Sequence, residues 1–162
     1  MRVEAVGEAQ WARWREARLR ALSDAPEAFG STYEEWVDAP EARWRDRLRG
    51  ETLDLLASED GIPCGMASGV PGRHGSTTEL ISMWVDPSFR GRGVADALID
   101  AIARWAAGRG IELRLSVMPG NGRAMAVYRR NGFVLVADEQ GDALSDGSGH
   151  ELIMTRALGE AS

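Results

Sequence analysis

The sequence predicts a mixed α/β fold on three observations. Helical periodicity recurs in separated segments, short alternating apolar runs lie between and after them, and the second half shows a strand–helix–strand succession. With 162 residues, 44% of them hydrophobic and 27% charged, and no repeat or linker, the chain reads as one domain, 1–162.

Residues 2–6 read as a short strand. The segment from Glu8 to Leu22, with Trp11, Trp14, Leu19 and Leu22 at helical spacings, reads as a first helix. SDAPEAFGST is a loop, followed by a short helix through Glu41, Trp44 and Leu48 that Gly50 ends. TLDLLASE and IPCGMASG are strands joined by Asp60-Gly61, whose tolerance of positive φ suits a tight hairpin. After PGRHGS a longer strand runs from Thr77 to Val85, closed by Asp86-Pro87. Val94, Ala97, Leu98, Ala101, Ile102 and Trp105 give the clearest amphipathic helix, from Gly91 to Arg109. Gly110 stops it, and Ile111 to Met118 alternate as a strand. Asn121 caps a further helix carrying Ala124, Val127 and Tyr128, which ends at Asn131-Gly132-Phe133 in the pattern of a Schellman motif. Strands near 133–137 and 150–155 flank an acidic loop and complete the sheet.

Composition removes several chemistries. Every one of the 19 basic residues is arginine, so there is no Walker A lysine, no Schiff-base nucleophile and no pyridoxal phosphate anchor. Cys64 stands alone, which excludes internal disulfides and CxxC sites and makes it a small core residue. A net charge of -6, with the arginines interspersed among 25 acids, offers no basic face for duplex nucleic acid. His74 and His150 are far apart, so no metal is expected. Counted from Asp138 as a calcium loop, the glycine position holds Ala143 and the closing glutamate position holds Gly149, so the run through Asp142 and Asp146 reads as a solvated loop. No G-x-S-x-G elbow occurs. No stretch approaches the roughly 20 apolar residues of a membrane span and the start lacks a signal-peptide pattern, so no membrane partner and a cytoplasmic location are expected.

The chemistry lies between Val85 and Ala95, where a strand ends, turns, and passes through Gly91 and Gly93 into the long helix. Glycines remove the Cβ atoms that would hold a phosphate away, while the unpaired N–H groups and dipole of a helix start attract it. A pyrophosphate fits such a turn. The plainer alternative is a helix start in which the two glycines serve only packing.

Arg90-x-x-Gly93-x-Ala95 resembles the [RQ]-x-x-G-x-[GA] signature of the GNAT superfamily of N-acetyltransferases. The preceding E-L-I-S-M-W-V-D-P and the following N-G-R-A-M-A-V-Y-R-R-N-G-F are similar to that family's acetyl-CoA core, in the same order. R-L-R-A-L-x-D-A-P-E-A-F is similar to the first helix and loop of many bacterial members. The resemblance implies a central mixed, mostly antiparallel sheet of six to seven strands flanked by about four helices. It also implies transfer of the acetyl group of acetyl-CoA to a primary amine, by direct attack in a ternary complex without a metal. Main-chain amides of Gly91, Arg92, Gly93, Val94 and Ala95 would then hold the pyrophosphate. The backbone of Met83 and Val85 would pair with the pantetheine arm as an added strand. Asn121 would contact the same arm, a role compatible with its being a helix N-cap. Arg90 and Arg92 either add charge at the phosphates or are solvated.

An alkyl amine of pKa about 10.4 is about 0.04% free base at pH 7, a deprotonation cost of roughly 4.6 kcal/mol, so a base or a water chain to one is needed. The departing thiolate gains from a proton donor. Tyr128 falls where the resembling family places its tyrosine acid, against the alternative of a packed core tyrosine. Glu79 lies where many such members carry a catalytic or water-binding glutamate. Strict alternation puts it on one face with Ile81, Met83 and Val85, an apolar setting that would raise its pKa for base work; the alternative is an exposed strand-start glutamate.

Two rival functions are a non-catalytic acyl-CoA-binding or sensing protein of the same fold and a Rossmann-type dinucleotide module. The second lacks the full G-x-G-x-x-G. The acceptor, a small-molecule or peptide amine, is expected between 24–36 and 138–150 by the resemblance. Asp24, Glu27, Glu34, Glu35, Asp138, Glu139, Asp142 and Asp146 there favour a cationic one. A homodimer stays open: Trp36 and Trp44 either belong to such an interface or pack the short helix on the core.

Overall fold

The computed structural model describes residues 1–26, 29, 31–72, 76–140 and 151–159, the side chains of 137–140 excepted. In chain order the elements are β1 (Arg2–Ala5), α1 (Trp11–Asp24), α2 (Tyr33–Val37), α3 (Glu41–Arg47), β2 (Leu53–Glu59), β3 (Ile62–Pro71) and β4 (Thr77–Val85). They continue with α4 (Val94–Ala107), β5 (Glu112–Val117), α5 (Gly122–Arg130), β6 (Val134–Gln140) and β7 (Leu152–Ala157). Seven strands form one sheet in the order β1-β2-β3-β4-β5-β7-β6. Only β4 and β5 run parallel; every other neighbouring pair is antiparallel.

Local chemistry accounts for the element ends. Asp60 and Gly61 have φ of +50° and +80°, as the tight β2–β3 hairpin requires. At the end of α5, Phe133 N–H donates to Tyr128 C=O at 3.0 Å and Gly132 N–H to Arg129 C=O at 3.1 Å, which is the Schellman pair of bonds. The accompanying apolar contact is the Phe133 ring meeting the Tyr128 ring edge-on, centroids 5.8 Å apart, so the helix ending also positions Tyr128. Helix α2 lies beyond the four expected. Its Thr32 cap accepts from Glu35 N–H at 3.2 Å, and T-x-x-E is a capping-box pattern that the sequence carries openly.

Two layers cover the sheet. On one face α4 buries Val94, Leu98, Ile99, Ile102, Ala103 and Ala106, and α5 packs against the same core through Ala124, Met125, Val127 and Tyr128. A helix of 14 residues is marginal by itself in water. The full burial of Leu98, Ile99 and Ile102 contributes about 1.5–3 kcal/mol each, so packing on the sheet holds α4 in place. Close approach is needed for that: a Cβ on Gly69 of β3 would stand 2.6 Å from the Trp105 ring.

On the other face, Trp14 of α1 and Trp44 of α3 pack with Leu56, Met66 and Trp84 of the sheet. The Trp36 ring lies 4.7 Å from that of Trp44, which is 1% exposed. Both tryptophans therefore pack the short helices onto the core, and Trp44 has no surface left for a dimer interface. No helix among the described residues is long and apolar enough to cross a membrane.

Candidate functional site

The site begins where β4 and β5 part. Their parallel register covers only Thr77, Thr78 and Glu79 against Glu112, Leu113 and Arg114, although β4 continues to Val85 and β5 to Val117. Beyond Glu79 the two strands have no mutual pairing, and a wedge opens with backbone on both sides.

A bulge in β4 decides which groups line it. Ile81 pairs with Ser68 and Trp84 with Met66, so Ser82 and Met83 together oppose Ala67. Ser82 takes up the extra residue at φ +55°, a left-handed conformation rare for a non-glycine residue. The alternation therefore switches phase. Leu80 packs on the α4 side, and so do Met83 and Val85, while Trp84 joins the opposite core. This corrects the expectation that Glu79, Ile81, Met83 and Val85 share a face: Glu79 and Ile81 stand on the α1 side, and the apolar lining expected for Glu79 shrinks to Ile81.

The same switch aims the backbone. Asp86 N–H donates to Cys64 C=O of β3 at 2.8 Å, so by strand alternation the polar groups of Trp84 also face β3 and those of Met83 and Val85 face the wedge. An extended pantetheine arm lying there would find a strand edge that β5 does not occupy, the placement the resemblance implies for these two residues, with Val85 C=O already accepting from Arg90.

The turn after β4 is where the sequence places the expected anion cradle. Gly91 and Gly93 have φ of +78° and +83°, and a Cβ built on either meets no atom of the described residues within 4 Å. The first backbone bond of α4 runs from Ala97 N–H to Gly93 C=O at 3.0 Å. That leaves the N–H groups of Val94, Ala95 and Asp96 without a backbone acceptor among the described residues. Open space, unpaired donors and the positive end of a helix dipole fit the pyrophosphate of a coenzyme A thioester. Asp96 does not spoil that potential, because Arg130 at 2.9 Å and Asn131 at 2.8 Å hold its carboxylate and bind α4 to α5. The bond from Asn131 first, then Arg130, keeps its carboxyl below the ordinary range.

The two arginines of the motif are engaged by the protein. Arg90 donates through Nε to Val85 C=O at 3.2 Å and pairs through a terminal nitrogen with Asp24 at 3.0 Å. Arg92 lies over the Phe89 ring, 5.3 Å from its centroid. Asp24 also accepts from the Trp84 indole N–H at 3.0 Å. One of the acids expected to attract a cationic acceptor is thus committed to holding the turn. Glu34 and Glu35 are exposed; Glu27, Asp142 and Asp146 lie outside the described residues, as do the side chains of Asp138 and Glu139. His74 and His150 lie outside them too.

Tyr128 of α5 packs, partly buried, against the core on the α4 side of the sheet, and burial pushes its hydroxyl up to about 12. No protein group among the described residues takes a hydrogen bond from it, so its proton is free for a bound molecule. Asn121 caps α5, its side-chain oxygen accepting from Ala124 N–H at 3.2 Å. Cys64 is fully buried and burial raises its thiol pKa, which suits the small core residue expected of it. The structure thus sets Met83, Val85 and Tyr128 against the same α4-side core, with the 91–95 turn at the start of α4 and Glu79 on the opposite face of β4. Ser82, whose bulge sets this arrangement, carries no signal in the sequence.

The family model for GNAT acetyltransferases matches residues 10–133. A mycothiol acetyltransferase from Beutenbergia cavernae is 32% identical over 134 residues, 80% of this chain and 43% of the relative, so the chain spans under half of that protein's length. Among solved structures, a GNAT-family acetyltransferase from Streptococcus pneumoniae superposes with a TM-score of 0.79 at 17% identity, covering 98% of this chain and 99% of its own. A Salmonella typhimurium structure determined with its cofactor acetyl-CoA gives 0.77 at 20% identity, covering 100% and 96%. Sheet topology and helix placement agree with that fold, and on the family match the chain belongs to the GNAT family of acetyltransferases.

Proposed function

We propose that the chain transfers the acetyl group of acetyl-CoA to a primary amine by direct attack in a ternary complex. The observation that carries this reading is the β4 edge at Met83 and Val85, left unpaired by β5 and touched only by Arg90 at Val85 C=O, which leads toward the open Gly91–Ala95 turn and so offers a track for a pantetheine arm and its pyrophosphate. Acetyl-CoA, bound there, supplies a thioester carbonyl as electrophile.

The chain's own groups do the rest. Amides of Gly91 to Ala95 hold the phosphates, the β4 backbone aligns the arm, and Asn121 borders it. Tyr128, protonated at every pH below about 12, donates its proton to the departing sulfur. Glu79, on the face of β4 opposite Tyr128, accepts the proton of the attacking ammonium, directly or through water, and so offsets the roughly 4.6 kcal/mol that deprotonation costs at pH 7. The amine then attacks from the α1 side while the thiolate leaves beside Tyr128.

The test is thiol release from acetyl-CoA by the purified chain against a panel of amines, with the acetylated amine identified by mass spectrometry. Amine-dependent release with stoichiometric product is expected. Tight acetyl-CoA binding with no release for any amine would make the chain a sensor of the coenzyme instead.

A further inference from the structure

Three arginines around the α1 face of the sheet are paired with carboxylates: Arg20 with Asp86, Arg47 with Asp54 and Arg90 with Asp24. Arg15 of α1 is not, donating instead to Val37 C=O at 3.1 Å, and neither is Arg18. It lies in α1, is largely buried, and no carboxylate among the described residues pairs with it. Its guanidinium sits over the Phe29 ring, 4.7 Å from the centroid, and donates one hydrogen bond, at 3.1 Å, to Ser82 Oγ. Of its five N–H donors the described protein takes one. Burial, and after it the charge of Arg47, lower its pKa to about 10, so at neutral pH it is a cation held short of counter-charge.

Its contact is equally telling. Ser82 is the left-handed bulge residue of β4, placed where β4 and β5 have already parted, on the same side of the sheet as Glu79. The phosphate turn is separated from it by Met83–Asp86 and the Pro87–Phe89 turn, so the coenzyme's phosphates have their own donors elsewhere.

We propose that Arg18 binds a carboxylate carried by the acceptor, so that the acceptor is an amine bearing a carboxylate, an amino acid or peptide end, in preference to a simple cationic amine. The inference rests on the acetyl-transfer reading above and specifies its acceptor. It reverses the preference drawn from the acidic segments. Glu34 and Glu35 are exposed, act through water and are screened over about 8 Å at physiological salt, whereas a largely buried guanidinium acts at contact through several donors.

The test uses the full chain with acetyl-CoA and matched acceptors: L-amino acids, their α-carboxamides and the decarboxylated amines. In wild type, kcat/KM for a carboxylate should exceed that of its carboxamide by at least about tenfold. In Arg18→Gln that ratio should fall to within about twofold, with the KM for acetyl-CoA within about twofold of wild type. Arg18→Lys, which keeps the charge without the planar fork, should retain part of the preference. Equal use of carboxamides by wild type, a preference that survives in Arg18→Gln, or a loss that appears as a raised KM for acetyl-CoA would each overturn the assignment.

A second readout needs no turnover. N-acetyl amino acids and their carboxamides are titrated into the CoA-saturated chain while the Arg18 Nε–Hε resonance is followed. A shift with the carboxylates alone supports the site; if no amine is acetylated beside such a shift, the transfer reading is what fails. No shift, together with acetylated carboxamides, removes the site and leaves the transfer.

Discussion

Replacing Gly93 by valine separates the cost to the fold from the cost to the site. At φ +83° an L-residue costs about 1–2 kcal/mol in backbone strain. Nothing lies within 4 Å of the added Cβ, so no packing clash is added. Against a typical total of about 5–15 kcal/mol the variant folds, with Tm lowered by about 2–8 °C. The vacant space is where a pyrophosphate would accept from the first amides of α4. A hydrogen bond to a charged group contributes about 1.5–3 kcal/mol, so losing even one weakens acetyl-CoA binding by at least about tenfold. Gly50, at φ +104° with nothing within 4 Å of its Cβ, is the control: Gly50→Val carries similar strain far from the turn. Calorimetric titration with acetyl-CoA, beside thermal unfolding of each variant, reads both quantities. Affinity within about threefold of wild type in folded Gly93→Val, or an equal loss in Gly50→Val, would refute the pyrophosphate assignment.

Tyr128→Phe should lower kcat by about 10²-fold with little change in acetyl-CoA affinity, and an unchanged kcat under rate-limiting chemistry would return Tyr128 to a packing role. Because burial pushes its hydroxyl from 10 to about 12, the native chain keeps that proton between those values while the unfolded chain loses it. Stability should be full below about pH 10 and fall as pH rises toward 12, and alkaline denaturation of Tyr128→Phe should lack that part of the slope. Glu79→Gln should reduce kcat at pH 7 by about 10²-fold with little change in acetyl-CoA affinity; an unchanged kcat would assign the base to water. Gly69→Ala places a Cβ 2.6 Å from the Trp105 ring and should cost about 1–3 kcal/mol, read as a lowered Tm; an unchanged Tm would show that α4 does not require so close an approach.

Features that depend on a few adjacent residues were legible in the sequence. The Asp60-Gly61 hairpin, the amphipathic face of α4, the Asn121 cap and the Asn131-Gly132-Phe133 ending each follow from backbone preference or period within one element, and each is found where expected. The glycine turn before α4 belongs with them, because the positive φ of Gly91 and Gly93 is a local backbone preference. Helix α2 was legible too, in Thr32-x-x-Glu35, though five residues carry too little periodicity to announce it.

Relations across strands were not legible. Strict alternation put Glu79 with Met83 and Val85; one extra residue at Ser82 reversed every side chain and backbone group after it, and a bulge is decided by pairing with β3, which the letters of β4 do not record. Acidic residues counted as free charge gave the wrong weight to Asp24, since its partners Trp84 and Arg90 lie 60 and 66 positions away. The same distance hid Arg18, one arginine among 19 until the fold set it against Ser82 with no carboxylate partner among the described residues. The sequence by itself determined most of the elements, the glycine turn before α4 and the resemblance to the family, because those rest on short-range sterics and hydrogen bonding. The tertiary structure alone decided which charges are spent on one another and which remain for a ligand, because electrostatic pairing depends on distance in space.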